Sequence, residues 1–164
     1  MIISLTGYMG SGKTTVGRIV ADALGCVFLD LDQLVEAREK RSIAEIFRTD
    51  GEAAFRKAEE EVLAVTLKKY AQGNIVLALG GGAVLSARSR KLLQEQTTCI
   101  WLQAPAETLL ARISKSPTRP LADEHFAARL AERLPLYEAA AHVTIDTTGL
   151  SPEEVADEII ITCL

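Results

Sequence analysis

The chain has 164 residues, 48% hydrophobic and 24% charged, the balance of an ordinary globular chain rather than a disordered one. That length buries a sizeable core without disulfides or a structural metal. Eighteen Lys and Arg against twenty-two Asp and Glu leave a net charge of −4, which argues against general nucleic-acid binding, because that needs a basic surface to neutralise phosphates.

Strands and helices alternate along the chain. Ile2–Thr6 is a short apolar strand that ends at Gly7. Lys13–Leu24 carries Val16, Ile19, Val20 and Ala23 at helical spacing, and Gly25 stops it. Cys26–Leu29 is a second strand closing on Asp30. Residues 33–69 favour helix, with breaks near Arg41–Ser42 and Asp50–Gly51; within them Glu59–Glu61 reads as a solvated helix face. Ile75–Leu79 has no polar residue and is expected to be a strand buried on both faces. Ser86–Gln94 reads as helix and Thr98–Leu102 as the fourth strand, after which Pro105 sits in the first turn of a helix reaching Ile113. Lys115–Ala122 is a break holding two prolines, and Glu124–Arg133 is helical again. His142–Asp146 is the fifth strand, and Ser151 caps a last helix with Pro152 first and Glu154 at the capping-box position. Five strands separated by helices predict a three-layer α/β sandwich around a parallel sheet, one domain over 1–164.

The longest run of apolar residues and glycine, Ile75–Leu85, spans eleven residues, against about 20 for a membrane span. No basic residue precedes Lys13, so no signal-peptide start is expected. Cys26, Cys99 and Cys163 are an odd number in no metal-binding spacing and read as reduced thiols of a cytoplasmic protein.

Gly7-Tyr8-Met9-Gly10-Ser11-Gly12-Lys13-Thr14 fits G-x-x-x-x-G-K-[ST], placed between a strand and a helix. Glycines let such a loop turn successive backbone N–H groups onto phosphate, and the following helix adds its positive end. Lys13 can reach the β- and γ-phosphates and the Thr14 hydroxyl can ligate Mg²⁺. Gly10, Ser11, Gly12, Lys13, Thr14 and Thr15 are thus candidate ATP-binding residues. Asn74 is the only asparagine, so no N-K-x-D guanine reader exists and a GTPase is disfavoured. The chain is also short for a motor, and a small-molecule kinase fits best. Asp30-Leu31-Asp32 follows the second strand. Alternation in an extended segment would put both carboxylates on one side, at the end of the sheet where ligands bind. Such a pair suits a metal and an accepting hydroxyl, and equally a helix cap opening at Gln33.

Further motifs follow in order: Gly51-Glu52 with Phe55-Arg56 and Glu59, then Gly80-Gly81-Gly82, Arg119-Pro120-Leu121, and Arg133-Leu134-Pro135-Leu136-Tyr137. With the phosphate loop and D-x-D, this ordered set resembles the shikimate kinase family over nearly the whole chain. The resemblance implies a nucleoside-monophosphate-kinase-like fold, a substrate-binding helical region at 32–62 and a mobile lid at 114–123. It implies Mg-dependent transfer of the ATP γ-phosphoryl group to the 3-hydroxyl of shikimate, on the route to chorismate and the aromatic amino acids. By position, Lys13 and Arg119 contact the transferring phosphate, Thr14 and Asp30 serve the metal, and Asp32 binds the shikimate hydroxyls. Lys13, Asp32 and Arg119 are then the catalytic residues. Arg56 and Arg133 bind the carboxylate, Gly81 and Gly82 line its site, and Arg112 and Pro152 flank adenine. Paired guanidinium groups suit a planar carboxylate, and Glu59, one turn after Arg56, can orient it.

The partners expected are ATP and shikimate, with no nucleic acid, no membrane and a monomeric enzyme. Two rivals remain. A gluconate kinase would share the phosphate loop but lack the triple glycine and the R-x-P-L-Y motif. A nucleotide-binding module without catalysis would not need Asp30, Asp32 and Arg119. His125 and His142 belong to no motif and read as structural.

Overall fold

Five apolar runs pair into one sheet in which every neighbouring pair is parallel, in the order β2-β3-β1-β4-β5. The strands are β1 (Ile2–Thr6), β2 (Val27–Asp30), β3 (Ile75–Ala78), β4 (Thr98–Gln103) and β5 (Val143–Asp146). A computed structural model describes residues 1–114 and 125–164. All of the expected lid except Ser114, and Arg119 with it, lies outside the described residues. The helices described are α1 (Lys13–Leu24), α2 (Leu31–Glu39), α3 (Ile43–Asp50), α4 (Glu52–Lys69), α5 (Ala87–Gln96), α6 (Ala106–Ile113), α7 (Phe126–Ala140) and α8 (Pro152–Cys163). None is long and apolar enough to cross a membrane.

The strand pleat sorts the apolar residues into two cores. Ile3, Leu5, Val76, Ile100 and Leu102 point to the face covered by α1 and α8, where Val16, Val20, Val155 and Ile159 meet them. Ile2, Ile75, Leu77, Cys99 and Trp101 point to the other face, against the remaining helices through Leu31, Leu63, Leu93 and Tyr137. β3 is buried on both faces, as an unbroken apolar run between two neighbours should be. Register then places the site: Asp30 pairs with Ala78, and Ala78 with Leu5. The loops after β1, β2 and β3 therefore leave the same edge side by side, at the carboxyl ends where parallel sheets open a crevice.

Four expectations change. The helix after β2 opens at Leu31 rather than Gln33, so Asp30 and Asp32 do not share a strand side; Asp30 is the N-cap, accepting from Gln33 N–H at 3.3 Å, and Asp32 lies in the first turn. Capping removes an orphan helix N–H, and that decides the local conformation. The helix through Arg133 runs on to Ala140 despite Pro135; Tyr137 and Ala140 beyond it are wholly buried, and their packing offsets the roughly 3 kcal/mol of an interior proline. Glu59 is not solvated but 2% exposed, while Glu61 pairs with Arg38 at 2.7 Å. Pro105 is the N-cap of α6 rather than its first turn. Other boundaries move by one or two residues, as helix and strand ends do. His142 is structural: Nδ1 accepts from Cys99 N–H and Nε2 donates to Gln94 O, each at 3.0 Å. The three cysteines are free thiols.

Candidate active site

The loop between β1 and α1 closes on itself. Ser11 N–H donates to Tyr8 O at 3.1 Å, and Gly12 caps α1 with φ 91°, a left-handed conformation a side chain would strain. No side chain caps that helix, so its first N–H groups and positive end remain available to an anion. Lys13 folds back over the loop, its Nζ donating to Gly7 O at 2.6 Å and Tyr8 O at 3.1 Å.

Beside the loop, the Thr14 hydroxyl donates to Asp30 Oδ2 at 3.4 Å, which joins the start of α1 to the start of α2. Asp32, one residue past Leu31, is half-buried. Burial, with the Asp30 charge second, raises its pKa, while Lys13 and Arg56 pull the other way. Like charges held close disfavour a second ionisation.

Arg56 projects from α4 and is held at both ends, by Glu59 at 2.9 Å and Glu52 at 3.5 Å. Burial pushes the Glu59 carboxyl up to about 7 against the pull of Arg56. The triple glycine works by leaving room. A Cβ on Gly80 would lie 2.7 Å from Asp32 Oδ1, and one on Gly82 would overlap the Arg56 guanidinium. The backbone thus lets both side chains reach one space. Tyr137 pins this turn, its hydroxyl donating to Gly81 O at 2.6 Å. Arg133, one turn earlier on α7, lies over the ring of Tyr8 at 5.3 Å.

These groups surround a cavity of about 510 Å³, lined at one end by the phosphate loop with Lys13 and Thr14 and at the other by Arg56, Gly81, Gly82 and Arg133, with Asp30 and Asp32 between. A second cavity of about 340 Å³ shares the loop and gathers Gly10, Ser11, Gly12, Thr15, Arg112 and Pro152. Arg112 is fixed there by donation to Thr147 Oγ1 and O, each at 3.0 Å. Every expected site residue within the described residues lies in one of these two cavities. Arg119 lies outside the described residues. Sequence reasoning missed Tyr8, Phe47, Leu79 and Arg129 in the first cavity. Arg129 had a signal, since it precedes Arg133 by four residues on one helix face. Phe47, on α3, had none.

Chemically, the first cavity offers cationic and N–H groups suited to a polyanion at one end and two arginines suited to a small carboxylate at the other, with two carboxylates between. A family model for shikimate kinase matches residues 9–164. The chain is 45% identical to the shikimate kinase of Moorella thermoacetica over 162 residues, covering 96% of this chain and 91% of that protein. Its structure is similar to that of the shikimate kinase from Acinetobacter baumannii in complex with shikimate, at TM-score 0.88 and 36% identity, covering 99% of this chain and 92% of that one. A gluconokinase from Sinorhizobium meliloti 1021, at 21% identity and TM-score 0.63, covering 97% of this chain and 89% of that one, shares the fold alone.

Proposed function

The chain belongs to the shikimate kinase family, and from that premise we propose that it transfers the γ-phosphoryl group of ATP to the 3-hydroxyl of shikimate, giving shikimate 3-phosphate and ADP. One observation carries this: a single cavity runs from the phosphate loop to two arginines, with two aspartates between. In-line transfer needs a nucleotide end and an acceptor end sharing one open space, and this lining provides both.

Arg56 and Arg133 hold the acceptor's carboxylate by paired, directional hydrogen bonds. That contact aims the far side of the ring, with its hydroxyls, at Asp32. Asp32 orients the accepting hydroxyl, and its raised pKa makes it the better proton acceptor as the phosphoryl group arrives. Lys13 leaves the loop carbonyls for the phosphate oxygens, and Arg119 adds a second cation to the transferring group. Arg112 and Pro152 flank the adenine in the second cavity, which the loop residues Gly10 to Thr15 join to the first.

Mg²⁺ fits the donor set. Thr14 and Asp30 offer hard oxygens side by side, and no cluster of three His, Cys, Asp or Glu side chains forms a cage among the described residues. Mg²⁺ favours such sparse protein ligation, completing its shell with phosphate oxygens and water. When bound, it neutralises charge on the β- and γ-phosphates. The reading makes the protein a cytoplasmic enzyme of aromatic amino acid biosynthesis. Free thiols support the compartment.

The test is an acceptor panel assayed with Mg·ATP. Shikimate is expected to be phosphorylated and EDTA to abolish turnover. Turnover of gluconate or a nucleoside monophosphate, with none on shikimate, overturns the proposal.

A further inference from the structure

The two arginines that face the acceptor cavity use different supports. Arg56 is fixed by two carboxylates, Glu52 and Glu59, and part of its charge is cancelled by them. Among the described residues Arg133 forms no such ion pair. It lies over the face of Tyr8, with its Cζ 5.3 Å from the ring centroid. An aromatic face holds a cation by its quadrupole and leaves the positive charge unspent. For a group that must bind an anion, that is the better support.

The Tyr8 ring is itself set from α7. Its hydroxyl accepts from Arg129 Nε at 3.3 Å and donates to Phe126 O at 3.5 Å. Its edge meets the Phe126 ring at 4.9 Å, and the residue is 2% exposed. A buried phenol with both hydrogen-bonding directions used has one tilt. Arg129 stands four residues before Arg133 on the same helix and lines the same cavity. One arginine therefore fixes the ring by its hydroxyl, and the other rests on the ring's face.

We propose that Tyr8, held at its tilt by Arg129, is a positioning residue that aims Arg133 at the carboxylate of the acceptor. This rests on the assignment of Arg133 to that carboxylate. Neither Tyr8 nor Arg129 needs to touch the ligand for the effect. The backbone of Tyr8 belongs to the phosphate loop, where its carbonyl accepts from Lys13, so the acceptor arginine is braced on the nucleotide-binding element itself.

The experiment compares Tyr8→Leu, Tyr8→Phe, Arg129→Gln and the Tyr8→Phe/Arg129→Gln double variant, each checked for an intact thermal transition. Tyr8→Leu removes the aromatic face and is expected to raise KM for shikimate about 3- to 10-fold, with a smaller change in KM for ATP. Tyr8→Phe keeps the face and loses only the tilt, for a smaller rise. Arg129→Gln is expected to raise KM for shikimate too, and to have a smaller effect in the Tyr8→Phe background than alone, because the two share the Tyr8 hydroxyl contact. The carboxamide of shikimate, which lacks the anion, is expected to bind wild type and Tyr8→Leu alike. Fully additive effects in the double variant would show Arg129 acting independently of the Tyr8 hydroxyl and would overturn the proposal. So would a rise confined to KM for ATP, or an equal loss for acid and carboxamide. Wild-type protein inert toward shikimate would remove the functional reading and this proposal together. Active wild type with unchanged variants would remove this proposal alone.

Discussion

Glu59 has one oxygen on Arg56 at 2.9 Å, while its other, Oε2, is buried without a hydrogen-bond partner among the described residues. Burial disfavours the charged form, so the carboxyl is protonated below about pH 7 and ionised above it. An anionic acceptor held by Arg56 is repelled by the ionised form and not by the neutral one. Its binding and the proton therefore favour each other, and the acceptor's own carboxylate is ionised throughout that range. Affinity for shikimate is expected to be full below about pH 7 and to weaken as pH rises through it, with proton uptake on binding. Calorimetric titration in buffers of different ionisation enthalpy, at pH values on either side, measures both. Glu59→Gln should flatten the step; a variant that keeps it would assign the step to another group. The sequence made Glu59 legible as a partner for Arg56 through their three-residue spacing, but not its burial. That depends on Gly80, whose missing side chain lets the carboxyl approach the turn.

At the scale of elements, helix starts do much of the positioning. α2 begins on Asp30, which caps it and meets Thr14; α8 begins on Ser151, whose side chain accepts from Glu154 N–H while Glu154 returns a carboxylate to Ser151 N–H, each at 3.1 Å. Pro152 and Val155, in the first turn of α8, line the second cavity. Ser151→Ala is expected to lower unfolding stability by about 1 kcal/mol, with kcat unchanged, since the cap touches no reacting group. Denaturant unfolding and steady-state turnover on the same preparation check it; undiminished stability would mean the box adds nothing beyond solvent. The Ser-Pro-Glu-Glu signature was readable because capping chemistry is local. The passage of α7 through Pro135 was not, because the compensating contacts of Tyr137 with Trp101, stacked at 5.6 Å, come from β4.

Across the whole molecule, the nucleotide-binding residues proposed among those described belong to the β1–α1 loop, the start of α1, α6 and α8, and the proposed acceptor-binding residues to α2, α4, α7 and the turn after β3. A nucleotide bound there is expected to contact elements far apart in the chain and to stabilise the fold as a unit. At a concentration a hundredfold above its Kd, that stabilisation is about 2.7 kcal/mol. Lys13→Ala is expected to melt like wild type without ligand and to lose most of the shift given by Mg·ATP. Thermal denaturation with and without nucleotide tests this, and a full shift in the variant would remove Lys13 from the phosphate site. By itself, the sequence determined the alternation of strands and helices, the phosphate loop, the caps and the ordered motifs, because each depends on spacing within a few residues. Only the tertiary structure decided that Asp32 sits on a helix rather than a strand, that Glu59 is buried, and that Tyr8 and Arg129 brace Arg133. Those outcomes turn on which side chains meet across the carboxyl edge of the sheet, and residues 121 positions apart, such as Tyr8 and Arg129, leave no local pattern to read.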